Sequence, residues 1–220
     1  MRCNLAILLF LLLASQASTA EECSDAQRAE AQLPKFFGST LHATSCPASD
    51  NDGTIVMTVS LHGLKTTVET RCESNAYVLK LDTTISFDAG STPGIGVSTG
   101  RGRDGTGMHY WKVTPTDSVI DIGEAPELVQ DKFIPNTYST LITGSGRYQS
   151  MRYFYEIRNN HLVATRLVGF YQKNRHTYGA DFAKISPSGG IILLRQKTLS
   201  EEKASLCQIG RAVCCNAVML

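Results

Sequence analysis

QSMRYFYEIRNNHLVATRLVGFYQKNRHTYGADFAKISPSGGIILLRQK, residues 149–197, is the stretch that decides the fold. It divides into β-branched and aromatic runs at Gln149 to Arg158, His161 to Tyr171, Tyr178 to Ile185 and Gly190 to Lys197. Asn159-Asn160, Lys173-Asn174-Arg175 and Pro187-Ser188-Gly189 separate them, and connectors this short and polar turn a chain back antiparallel to itself. In the first run Met151, Tyr153, Tyr155 and Ile157 share one face, with Arg152, Phe154, Glu156 and Arg158 on the other. That is the period-two alternation of a strand with one face in the core. Thr137 to Thr143 adds a further strand across Gly144-Ser145-Gly146.

Upstream the texture stays β, with runs at Thr54 to Leu61, Lys65 to Cys72, Tyr77 to Phe87 and His109 to Val113, and a tight hairpin turn at His62-Gly63. Asp117 to Val129 is ambiguous, because Pro126 bars a central strand there. Gly90 to Gly107 holds seven glycines and shows no apolar period, so a long loop is expected. Ser24 to Leu33 (SDAQRAEAQL) is rich in helix formers, with Ser24 as cap and Pro34 as stop. Ser200 to Val213 predicts a closing helix capped by Ser200, with Leu206, Ile209 and Val213 against the sheet. The expected class is mainly β (α+β): an antiparallel sheet or sandwich-like meander with short N-terminal and C-terminal helices.

The first twenty residues have the make-up of a cleavable signal peptide. Arg2 precedes an apolar run from Leu5 to Ala14, too short to span a bilayer, and Ser18 and Ala20 stand at −3 and −1 of a cut before Glu21-Glu22. The expected organisation is a signal peptide at 1–20 and a single exported β-rich domain at 21–220, periplasmic or extracellular, with no membrane span after cleavage. The full chain has 21 basic and 20 acidic residues, and loss of Arg2 brings the two into balance. Balanced charge speaks against nucleic acid as the main partner.

Of seven cysteines, Cys3 leaves with the signal. The remaining Cys23, Cys46, Cys72, Cys207, Cys214 and Cys215 are an even set in an exported chain and are read as disulfide candidates. If all six pair, one bridge must join the N-terminal three to the C-terminal three. Zinc spacing is absent, so no metal is expected.

Other patterns carry little chemistry. Gly100-Arg101-Gly102-Arg103-Asp104-Gly105 matches G-x-G-x-x-G but lacks the preceding strand and following helix that dinucleotide binding requires, and no cofactor is expected. Asp50-Asn51-Asp52-Gly53 fails the register of a calcium loop. The five histidines, His42, His62, His109, His161 and His176, show no triad or metal spacing. Tyrosine and arginine crowd the C-terminal meander, and these residue types dominate protein interfaces. The partner-contact candidates are Tyr148, Arg152, Tyr171 and Arg175 of the meander, together with Arg101 and Arg103 of the glycine-rich loop, which would meet an anionic partner, with no catalytic residue assigned.

The segment from Tyr153 to Ile191, built round FYEIRNNHLVATRLVGFYQ and DFAKISPSGG, resembles a repeat of small exported bacterial β-meander proteins. Some of those are inhibitors of lysozyme-like enzymes or immunity proteins against peptidoglycan hydrolases. Asp121-Ile122-Gly123-Glu124 is only a degenerate counterpart of the calcium-binding element some of them carry, and no inhibitory residue transfers. The resemblance implies a non-catalytic exported binding protein with a protein partner, an inhibitor of or immunity protein against a cell-wall hydrolase. The alternative is an exported hydrolase whose site the fold assembles; imidazoles and carboxylates meeting in one place would favour it.

Overall fold

The computed structural model describes residues 26–34, 36–46, 52–73, 78–100 and 107–208. These form fifteen strands and a short helix, arranged in three antiparallel sheets. The mainly β class expected from the sequence is what is found.

The first sheet runs in chain order through β1 (Gln27–Ala31), β2 (Thr40–Cys46), β3 (Asp52–Leu61) and β4 (Leu64–Glu73). On β3, Ile55, Met57, Val59 and Leu61 are buried at every second position. The β3–β4 turn falls at His62-Gly63, both with positive φ (45° and 87°), as the hairpin reading required. The expected N-terminal helix is corrected: Gln27–Ala31 is extended and pairs with β2. The Ala, Gln and Glu content favours helix, but pairing with β2 lets Ala29 and Ala31 pack on the core between sheets. Tertiary burial outweighs propensity differences of a few tenths of a kcal/mol per residue.

The second sheet comprises β5 (Leu81–Asp82), β6 (Ser86–Phe87), β7 (Thr92–Ser98), β8 (Gly107–Val113) and β9 (Val119–Pro126). Here the expected glycine loop is corrected in its first half, where Thr92–Ser98 is a strand buried along most of its length. The glycines are there for space. A Cβ on Gly94 would collide with the Phe87 ring, and one on Gly96 would lie 2.8 Å from the Tyr110 ring. Residues 101–106, with Arg101 and Arg103, lie outside the described residues. Pro126 ends β9 at a sheet edge, where its missing N–H costs no ladder bond.

The third sheet is a six-stranded meander in strict chain order: β10 (Val129–Gln130), β11 (Thr137–Thr143), β12 (Ser150–Arg158), β13 (His161–Asn174), β14 (Thr177–Ile185) and β15 (Ile191–Ser200). Helix α1 (Glu201–Gln208) follows, and the Lys203 amide donates to Ser200 Oγ at 3.4 Å, so Ser200 is the cap. Ala204 and Cys207 are the buried contacts of α1, in place of the expected Leu206; positions 209 and 213 lie outside the described residues.

The central sheet is buried on both faces. Ile95, Val97, Trp111 and Val113 pack against the first sheet, while Phe87, Met108, Tyr110 and Ile122 meet Tyr138 of the third. The opposite face of the third sheet holds a separate core of Phe154, Val168, Phe170 and Phe182 under α1.

Candidate functional site

Two strand glycines make room for the most distinctive surface of the third sheet. On the face opposite α1, Gly169 of β13 lies beneath the Tyr148 ring, where a Cβ would come within 2.5 Å, and Gly179 of β14 lies beneath Tyr171. The two rings sit edge to face at 6.1 Å and 65°. The Arg147 guanidinium stacks over both, 5.1 Å from the Tyr148 centroid and 4.9 Å from that of Tyr171. Such cation–π contacts suit arginine and hold a long side chain in one place.

The anchor of this platform is Asp181 of β14, whose side chain is 1 % exposed. A buried carboxylate must be fully partnered. Asp181 accepts from the Arg147 guanidinium, from Tyr148 Oη at 2.8 Å and from Gln196 Nε2 at 3.0 Å. The Arg147 side chain is 54 % exposed, so its outer edge remains presented to solvent. Arg147, Tyr148 and Tyr171 thus form a rigid aromatic-cationic surface, with Arg175 exposed in the adjoining β13–β14 turn.

Of the expected contact residues, Tyr148 and Tyr171 lie side by side, and Arg175 sits in the turn after β13. Arg152 does not join them and is corrected: it is buried on the other face, beneath α1. It donates to Ser139 Oγ at 2.6 Å and to the Gln208 and Cys207 carbonyls at 3.1 and 3.5 Å, and Asp131 lies 3.7 Å away. A cation on the terminal carbonyls of a helix satisfies groups that have no intrahelical partner and complements the dipole. Asp181, the residue sequence reasoning missed, carried one signal: a lone acid in the otherwise apolar run Gly179-Ala180-Asp181-Phe182-Ala183.

The cysteine reading is corrected at one position. Cys72 is a free, buried thiol, 3.7 Å from Ser45 Oγ and opposite Gly53 in the ladder. Cys46 and Cys207 are disulfide-bonded, and Cys23, Cys214 and Cys215 lie outside the described residues. With Cys72 unpaired, the parity argument for a bridge between the two ends no longer holds.

A second cluster joins the first two sheets at His109 of β8, whose ring is stacked 4.3 Å from Trp111. His109 Nδ1 is 2.8 Å from Thr70 Oγ1 on β4, and Nε2 is 2.9 Å from Asp121 Oδ1 on β9. Glu124 Oε1 lies 3.6 Å from Nδ1. One tautomer serves both short contacts: Nε2–H donates to Asp121 while Nδ1 accepts from the Thr70 hydroxyl. Asp121 and Glu124, the residues of the degenerate calcium element, here flank an imidazole. Among the described residues no group of three or more His, Cys, Asp and Glu is arranged to hold a metal ion.

Fold and surface together define an antiparallel β protein with a tyrosine–arginine platform on its meander. No known protein family and no curated protein matches the chain. It is similar to a solved structure described as that of a Xanthomonas type IV secretion system related protein, at 11 % identity and a TM-score of 0.46, over 78 % of this chain and 99 % of that one. No described helix is long and apolar enough to cross a membrane.

Proposed function

We propose that the chain is an exported, non-catalytic binding protein that engages a protein partner through Arg147, Tyr148 and Tyr171, with Arg175 at the rim. The observation that carries this reading is the Asp181 anchor. It fixes a guanidinium and two rings before any partner arrives, so little side-chain entropy is lost on binding. Tyrosine and arginine held in this way are the residue types on which interface energy concentrates. The partner class is a cell-wall hydrolase, with this chain as its inhibitor or immunity protein; support for that finer reading is the meander resemblance over Tyr153 to Ile191. The test is residual activity of lysozyme-like hydrolases on peptidoglycan with increasing amounts of the protein. Inhibition abolished by Arg147→Ala and Tyr171→Ala supports the proposal; inhibition unaffected by both removes the platform from it.

The Thr70–His109–Asp121 row favours a second reading, an exported hydrolase. An imidazole backed by a carboxylate and touching a hydroxyl is the arrangement that activates a nucleophile. A fluorophosphonate probe tests it: covalent labelling lost in Thr70→Ala supports the hydrolase, and an unlabelled wild type dismisses it.

A further inference from the structure

Antiparallel sheets end in edges, and an edge strand offers unpaired amide and carbonyl groups to any other strand. Most edges here are blunted. β1 carries Arg28 and Glu30, and β4 carries Lys65, Glu69 and Arg71. β5 and β10 are two residues long. β9 bears Asp121, Glu124 and Pro126 and pairs with β8 through a bulge.

β15 is different. It is ten residues long, it closes the six-stranded sheet, and it opens with four consecutive apolar residues. Ile191 is 63 % exposed, Ile192 53 %, Leu193 52 % and Leu194 56 %. Isolated exposed aliphatics are ordinary, but a contiguous run of them on a long free edge marks an interaction site.

We propose that β15 pairs antiparallel with β15 of a second copy of this chain, joining two six-stranded sheets into one continuous sheet. The charge pattern selects this occupant and its register. A two-fold axis through Ile192 sets Ile192 opposite its own copy and Ile191 opposite Leu193, pairs that share a face as cross-strand neighbours must, so apolar side chains meet apolar ones. Arg195 and Lys197 of each copy then lie beyond Ile191, the first strand residue of the other, so no like charges meet. Centring the pair on Arg195 would oppose two guanidiniums, which is destabilising. The ladder with β14 shifts register between Phe182 and Ala183, leaving Leu194 as the extra residue on β15. A bulge bends and twists its strand. Here it lies at the end of the apolar run, so pairing stops where the cations begin. Those cations are also engaged within their own sheet, Arg195 at 5.4 Å and Lys197 at 5.9 Å from the Phe182 ring.

The experiment is sedimentation velocity over a range of protein concentration, using the chain as purified from the producing cell. The wild type is expected to double its mass as concentration rises. Ile192→Lys with Leu194→Lys is expected to stay monomeric; both side chains are more than half exposed, so the fold is preserved. Leu141→Lys, an exposed apolar residue on β11, is expected to dimerise like wild type. In parallel, amide hydrogen exchange at 191–194 should slow on dimerisation. A wild type that is monomeric throughout overturns the proposal. So does a double-lysine variant that dimerises as well as wild type, or a dimer whose new protection lies elsewhere. Failure here leaves the tyrosine–arginine platform untouched, because the two surfaces share no residue.

Discussion

Arg147 and Asp181 stand 34 positions apart in the chain and form an ion pair of unequal burial, a carboxylate sealed inside the sheet and a guanidinium half in solvent. The inner partner is therefore structural and the outer one presented. Asp181→Asn keeps the shape and removes the charge. It should destabilise the protein by about 1–3 kcal/mol through weakened charge-assisted bonds. Urea unfolding of wild type and variant measures this, and an unchanged midpoint would mean that the pair contributes nothing.

Gly179→Ala places a methyl group inside the Tyr171 ring position. The ring must leave its seat, at a cost of about 1–3 kcal/mol. The expected signature is loss of near-ultraviolet tyrosine dichroism with the far-ultraviolet β signal intact, together with loss of partner binding.

His109 ties β8 to β4 and β9. Thr70→Val is near in shape and leaves Nδ1 without its hydroxyl, and a loss of about 1–3 kcal/mol is expected from the partly buried nitrogen. Thermal melts check the loss, and limited proteolysis should show the β3–β4 hairpin cut first.

Burial pushes the Tyr138 and Tyr155 hydroxyls up to about 12, with the Asp88 carboxylate adding to the effect at Tyr138. Burial raises Tyr110 as well. The folded state thus holds these phenols neutral beyond the point, near pH 10, at which they ionise when unfolded. Their contribution is fully present below about pH 10 and is lost as pH rises toward 12. Absorbance titration against far-ultraviolet dichroism should show alkaline unfolding in that window, beginning between the second and third sheets. Glu156 acts on the acid side. Burial alone would raise its carboxyl, but hydrogen bonds from Arg158 and Thr165 and the Arg166 charge hold it below the usual carboxylate range. Its stabilisation persists above the unfolded value and disappears only as pH falls below the ordinary glutamate range.

The meander was readable strand by strand, because its runs are rich in β-branched and aromatic residues and each turn has its own polar signal. The region before it was less so. Gln27–Ala31 has helix formers, and what makes it a strand is β2, whose paired residues lie 10 to 18 positions downstream. Thr92–Ser98 looks like a loop because its glycines are conspicuous, and the reason for them, the Phe87 and Tyr110 rings, lies in neighbouring strands. The platform was half visible. Tyr148, Tyr171 and Arg175 stood out by composition, whereas Asp181 matters only through long-range contacts, and Arg152 gave no sign that its partner is a helix end. His109, Thr70 and Asp121 meet through ladder register across two sheets, which no spacing rule encodes.

Within each sheet nearly every strand pairs with the strand made just before or just after it. Ladders of that kind need only short loops to close, so the entropy of closure is small and contact order within each sheet is low. A chain threaded out of a narrow channel from its N-terminus could complete the first sheet, then the second, then the third, each as its last strand clears the exit. The connectivity of the three sheets is thus an order of assembly as well as an architecture.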